Sequence, residues 1–139
     1  MAKERFLREA EIAAGLRHPC IVSVYDFGEQ EGVPYLVQEF LPGEDMSQKI
    51  FRRDVGDLRV RIGWLINVAE ALRFAHQRGV VHRDVKPSNV RIVGDGSVRL
   101  VDFGIAKVLD SEQQLTGTNQ SLGTSGYLSP EQLEGRDID

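Results

Sequence analysis

The sequence predicts an α+β fold, with helices combined with antiparallel hairpins, and three observations carry the prediction. Residues 21–27 and 33–40 are β-branched and aromatic runs on either side of a Gly28-to-Gly32 turn. From Leu58 a stripe of apolar residues recurs at helical spacing, and residues 90–93 and 98–101 form a second pair of runs around Gly94-Asp95-Gly96-Ser97. The chain of 139 residues is, by length alone, room for one domain with one core. Its 41% hydrophobic and 27% charged residues exclude intrinsic disorder as the main state.

The elements follow in order. Phe6, Ala10, Ala13 and Ala14 recur near helical spacing, so a short first helix is expected, running until His18-Pro19 forbids its continuation. The first hairpin comes next, and Leu41-Pro42-Gly43 breaks its second strand. Leu58, Ile62, Leu65, Ile66, Ala69, Leu72 and Ala75 then fall on one expected helix face, with Asp57 able to cap the start and Gly79 the end. The second hairpin is fixed by its Asp-Gly turn signal. From Asp110 to Gly126 the chain is rich in Ser, Thr, Gln and Gly and reads as a long loop, a length usually kept for function or disorder.

Charge and cysteine content narrow the function classes. Seventeen basic and 21 acidic residues give a net charge of −4, no general footprint for nucleic acid or anionic lipid. The single cysteine, Cys20, lacks zinc-site spacing and fits a reducing, cytoplasmic setting, with a structural thiol expected rather than a reactive one. No stretch approaches the roughly 18 apolar residues of a membrane helix, and the N-terminus lacks a signal-peptide run.

Chemistry concentrates in two loops flanking the second hairpin: His82-Arg83-Asp84-Val85-Lys86-Pro87-Ser88-Asn89 before it and Asp102-Phe103-Gly104 after it. The hairpin should bring Asn89 and Asp102 close together. Two such oxygen ligands suit Mg²⁺, which takes one or two protein ligands and leaves its other positions to water and phosphate oxygens. Asp84, five residues before Asn89, can then accept a proton from an attacking hydroxyl, and Lys86 can offset charge on a transferring phosphoryl group.

These loops resemble the catalytic loop and metal-binding triplet of the eukaryotic-like (Hanks-type) protein kinases, and the hinge and activation segment look closest to bacterial serine/threonine kinases. The resemblance runs from Glu9 to Glu131. Glu9, ahead of His18-Pro19-Cys20-Ile21-Val22, matches the helix-C glutamate that pairs with the ATP-anchoring lysine. Tyr35 to Leu41 looks like the fifth strand and hinge, implying adenine bound by the backbone of Glu39 and Leu41, with Gln38 as gatekeeper. Gly123-Thr124-Ser125-Gly126-Tyr127-Leu128-Ser129-Pro130-Glu131 resembles the end of an activation segment, with Ser129 replacing the usual alanine. Thr116, Thr118 and Thr124 are the regulatory positions it implies, Arg83 being the residue that would pair with a phosphate on the first two. His82 is implied to be a packed support rather than an acid or base.

The resemblance implies a two-lobed kinase-like fold in part: residues 1–40 as the remainder of the small lobe, 41–45 as hinge, and 46–139 as the first part of the large lobe. Within that lobe 82–89 is the catalytic loop and 102–131 the activation segment. It further implies ATP and Mg²⁺ as cofactors, a protein substrate, and phosphoryl transfer to Ser or Thr hydroxyls. The pattern departs from the family where no Gly-x-Gly-x-x-Gly and no Val-Ala-Ile-Lys-like strand precede Glu9, and Lys3, six residues before it, is a poor substitute for the lysine. An interior slice of a kinase domain, inactive alone and exposing apolar edges, is therefore expected. The alternatives are a non-catalytic kinase-like fragment or, less well matched because it lacks such an activation segment, a phosphotransferase of the aminoglycoside-kinase type.

Arg91, two residues after Asn89, stands where many family members place an apolar residue beneath adenine. Its stem can cover the base with the guanidinium in solvent. Arg91→Leu should therefore bind nucleotide more tightly in a direct titration, and equal affinity of the two proteins would contradict the expectation.

Overall fold

In a computed structural model the described residues are 2–103, with Tyr127 and Pro130 beyond them. Helix α1 spans Ala2–Ala14 and buries Phe6, Ala10 and Ala13, one face at helical spacing. It stops earlier than proline alone would require. The Gly15 N–H still donates to Glu11 and Ile12 carbonyls, and Leu16 then closes a tighter turn onto Ala13, so the glycine, not His18-Pro19, marks the end.

Strands β1 (Val24–Gln30) and β2 (Val33–Gln38) pair antiparallel as a separate two-stranded sheet. The turn between them is only Glu31-Gly32, both at positive φ (52° and 82°), shorter than the expected Gly28-to-Gly32 connection. Positive φ at both positions matches the twist of the flanking strands, so Gly28 stays inside β1. Residues 21 and 22 do not join β1: Ile21 bridges Leu100, and Val22 donates its N–H to the Leu100 carbonyl at 3.0 Å.

Two elements went unforeseen. Strand β3 (Glu44–Asp45) leads directly into helix α2 (Met46–Phe51), whose start is a capping box: the Asp45 carboxylate accepts from the Gln48 N–H and the Gln48 side chain accepts from the Asp45 N–H. Before them Gly43 sits at φ 113°, and a Cβ there would lie 2.4 Å from the Ile92 carbonyl oxygen. No other residue fits without moving the backbone.

Helix α3 (Leu58–His76) starts at the expected cap, with Asp57 accepting from the Val60 N–H at 3.0 Å, but it presents a different face to the core. Trp64, Val68, Ala71 and Ala75 are buried, while Leu58, Ile62, Leu65 and Ile66 are exposed among the described residues. The helix is apolar around most of its circumference, so periodicity alone could not choose the arc. Packing did: Ala71 and Ala75, both fully buried, carry little side chain and let β5 come close.

Strands β4 (Val90–Ile92) and β5 (Val98–Leu100) form the expected second hairpin, and β3 adds to it in the order β3-β4-β5. Their inward residues Val90, Ile92, Val98 and Leu100 join Ile21 and Trp64 in the main core. Leu100 is its hub, with 0% exposure, and its backbone bonds reach both Cys20 and Val22. Among the described residues no helix is long and apolar enough to cross a membrane. Because Leu100→Ala opens a cavity where helix, hairpin and the 20–22 segment meet, it should cost about 2–5 kcal/mol in urea unfolding; a loss below about 1 kcal/mol would show that the core does not close on this residue.

Candidate active site

The loop before β4 is shaped by a buried histidine. His82, 1% exposed, donates from Nε2 to the Val101 carbonyl at 2.7 Å and accepts the Asp84 N–H on Nδ1 at 3.1 Å. An accepting Nδ1 fixes the Nε2–H tautomer. Its ring also packs on Phe103 with centroids 4.6 Å apart, so one side chain braces both chemical loops. This is the packed support the sequence implied.

Beyond Asp84, Pro87–Asn89 forms a 3₁₀ turn with proline at its start, where the missing N–H goes unneeded. The turn delivers the buried Asn89 side chain back onto Asp84: Nδ2 donates to the Asp84 carbonyl oxygen at 2.8 Å and to its Oδ2 at 3.1 Å. Lys86 Nζ lies 3.4 Å from the same Oδ2. Asp84, Lys86 and Asn89 are thus one cluster. With Nδ2 committed to Asp84, Oδ1 is the Asn89 atom turned to other partners.

Asp102 joins this cluster through the backbone. The Val101 N–H donates to the Asn89 carbonyl at 3.0 Å, extending the β4–β5 ladder by one step and setting Asp102 beside the 82–89 loop. Asp102 holds a left-handed φ of 56°, tolerable for Asp. Protein packed around the carboxyl pushes its pKa up, as does Asp84, while His82 and Lys86 pull it down. The side chain still reaches solvent. Asp84, Asn89 and Asp102 together offer hard oxygen donors, a donor chemistry that fits Mg²⁺.

Other expected site residues find different neighbours. Glu9 and Arg83, assigned separate partners by the resemblance, meet each other, with Arg83 Nη1 3.3 Å from Glu9 Oε1. Lys3 instead pairs with Glu29. Glu39 donates its N–H to the Ser23 carbonyl at 2.8 Å, and its carboxylate accepts from the Ser23 N–H at 3.3 Å and from Arg99 at 3.5 Å. Gln38 is exposed. The Arg91 guanidinium does not run to solvent: Nη2 donates to the carbonyls of Leu41 and Gly43, each at 2.8 Å. Two carbonyls within reach of one guanidinium nitrogen, one part-buried and one exposed, hold the cation by charge-assisted hydrogen bonds. Burial, then the nearby Glu70, push the Cys20 thiol pKa up, in keeping with a structural thiol. Thr116, Thr118, Thr124 and most of the expected activation segment lie outside the described residues.

Arg99 was not anticipated as a site residue, although the signal existed: the hairpin register sets it opposite Arg91, so both point to the same face, towards residues 39–43.

A family model described as the protein kinase domain matches residues 1–139. The chain belongs to the protein kinase family. It is 41% identical over 140 residues to the serine/threonine-protein kinase PknB of Mycobacterium tuberculosis, covering 97% of this chain and 22% of that protein. It is also similar, at 40% and 38% identity, to probable serine/threonine-protein kinases of Streptomyces coelicolor and Clostridium acetobutylicum, again over 97% of this chain. This kinase-family chain therefore spans about a fifth of the length of these relatives. The α+β fold with its kinase-like elements stands on that match, and ATP as substrate, typically with Mg²⁺, is what the family implies.

The raised Asp102 pKa has a stability consequence. A carboxyl that holds its proton more tightly folded than unfolded costs stability once it ionises, so the cost is present above its folded pKa and vanishes below the unfolded value of about 3.9. Asparagine removes the charge and tolerates left-handed φ. In metal-free buffer at pH 7, Asp102→Asn should raise Tm slightly, because solvent screens this exposed carboxyl, with the gain shrinking as pH falls towards 4. A lower Tm at pH 7 would contradict it.

Proposed function

We propose that this chain supplies the catalytic loop and metal-binding segment of a serine/threonine protein kinase, which transfers the γ-phosphoryl group of ATP to a protein hydroxyl. The observation that carries the reading is the convergence of Asp84, Lys86 and Asn89 within hydrogen-bond or ion-pair reach, with Asp102 one ladder step away. Residues 1–40 are read as small-lobe remainder, 41–45 as hinge and 46–139 as large lobe. Glu39 and Leu41 are the hinge residues whose backbone takes adenine. Among the described residues, neither the Glu39 carbonyl nor the Leu41 N–H takes part in a backbone hydrogen bond outside the strands.

In the transfer, the substrate hydroxyl oxygen bonds to the γ-phosphorus as the bond to the β–γ bridging oxygen breaks and ADP leaves. Asp84 Oδ2, aimed by Asn89 Nδ2, orients that hydroxyl and accepts its proton. Lys86, on the same side of the loop, offsets the charge on the transferring oxygens. Asn89 and Asp102 would hold Mg²⁺, which when bound neutralises phosphate charge. Lys86 followed by Pro87 favours the serine/threonine-specific form of the loop. Arg83, with Glu9 as its present partner, is the cation that a phosphate on Thr116 or Thr118 would recruit.

The test is Asp84→Asn in the complete gene product, assayed by labelled-phosphate transfer from ATP to a Ser/Thr peptide library. The amide keeps the loop's shape and removes the proton acceptor, so the rate should fall by roughly 10² to 10⁴ with the urea midpoint nearly unchanged. Full activity would remove Asp84 from that role. No transfer by the unmodified protein would leave the non-catalytic, partner-binding reading.

A further inference from the structure

The Arg91–hinge contact does more than cover the floor of the adenine site. An extended backbone directs the N–H and C=O of one residue to the same edge, so a purine whose N1 accepts the Leu41 N–H sets its C2 beside the Leu41 carbonyl. In this chain that carbonyl already accepts from Arg91 Nη2 at 2.8 Å, and the same nitrogen holds the Gly43 carbonyl at 2.8 Å. Gly43 cannot retreat, because its backbone packs against Ile92 too closely for any side chain. Both guanidinium bonds go to carbonyls, and the charge, felt also by the Asp45 carboxylate opposite Arg91 in the β3–β4 pair, keeps a cationic N–H donor at the purine C2 position. Arg99, opposite Arg91 in the hairpin, anchors the neighbouring Glu39 carboxylate at 3.5 Å and keeps the hinge on the hairpin from its other end.

We propose that Arg91 is a specificity-determining residue that selects purines unsubstituted at C2 over 2-aminopurines. This deepens the nucleotide-site reading above and rests on it. A 2-amino group would bring two N–H donors against a guanidinium and a carbonyl that already has a charged donor. Adenine brings only a C–H there. Without Arg91 the Leu41 carbonyl is open, and the 2-amino group gains an acceptor.

ADP and 2-amino-ADP, which share the same N6 and N1 edge, discriminate the idea by calorimetric titration of the complete gene product. The unmodified protein should prefer ADP by about five- to tenfold, and Arg91→Met should bring the ratio to about one or reverse it. Arg91→Gln keeps a donor on the hinge carbonyls without the charge and should also lose most of the preference, which preserves the test if the Met variant does not fold. Arg99→Met should keep the preference. The same ratio in unmodified and Arg91-substituted proteins would overturn the proposal, as would equal loss in Arg99→Met, which would assign the effect to hinge loosening. If neither nucleotide binds the unmodified protein, the nucleotide-site reading falls and the proposal with it, an outcome distinct from binding without discrimination.

Discussion

The pairing of β4 with β5 is the constraint on which the site depends, and its last rung is the peptide of Val101. That peptide gives its N–H to the Asn89 carbonyl and takes the His82 Nε2–H on its own carbonyl. Three points that are not sequence neighbours are thereby fixed to one another: the start of the 82–89 loop, its end, and Asp102. Apolar side chains hold the rung in place, since Val90, Val98 and Leu100 are buried on one face and α3 covers them with Ala71 and Ala75. The chemistry sits where the ladder ends and the backbone is free to turn its side chains outward.

The polar part of the site is costly and is arranged to limit the cost. A buried imidazole without partners would be destabilising, but both His82 nitrogens are engaged. Asn89, also buried, spends its amide on Asp84 twice. Two of the four left-handed non-glycine residues among those described, Arg83 and Asp102, lie here, with a carboxyl at Asp102 that desolvation and Asp84 discourage from ionising. Left-handed backbone and two neighbouring carboxyls at one place are features that the proposed cation site would use.

Much of this was legible in the sequence where the signal is local. The Asp-Gly turn fixed the second hairpin, and with it the proximity of Asn89 and Asp102; Asp57 fixed the start of α3. The buried face of α3 was not legible, because Leu58, Ile62 and Leu65 are as apolar as Trp64 and Val68, and only the position of β5 decides between the two arcs. Helix α2 was missed although Asp45 and Gln48 carry a capping pattern, since six residues give too little periodicity to notice. The contacts of Glu9 with Arg83, and of Arg91 and Arg99 with residues 39–43, join positions up to 74 residues apart; the hairpin register puts Arg91 and Arg99 on one face, but no local pattern names their partners. They depend on which charged side chains the fold leaves facing each other.

In the proposed site the β4–β5 hairpin brings Asn89 and Asp102 together next to Asp84 to hold one divalent cation. Mn²⁺ takes the same oxygen ligands as Mg²⁺ and broadens nearby NMR signals, so titrating it with ADP into ¹⁵N-labelled protein reads the site directly. Amide signals of residues 84–90 and 101–103 should broaden first and together, and this pattern should disappear in the Asn89→Ala, Asp102→Ala double variant. Broadening centred on other acidic residues, such as Glu44 and Asp54, or persisting unchanged in the double variant, would contradict it.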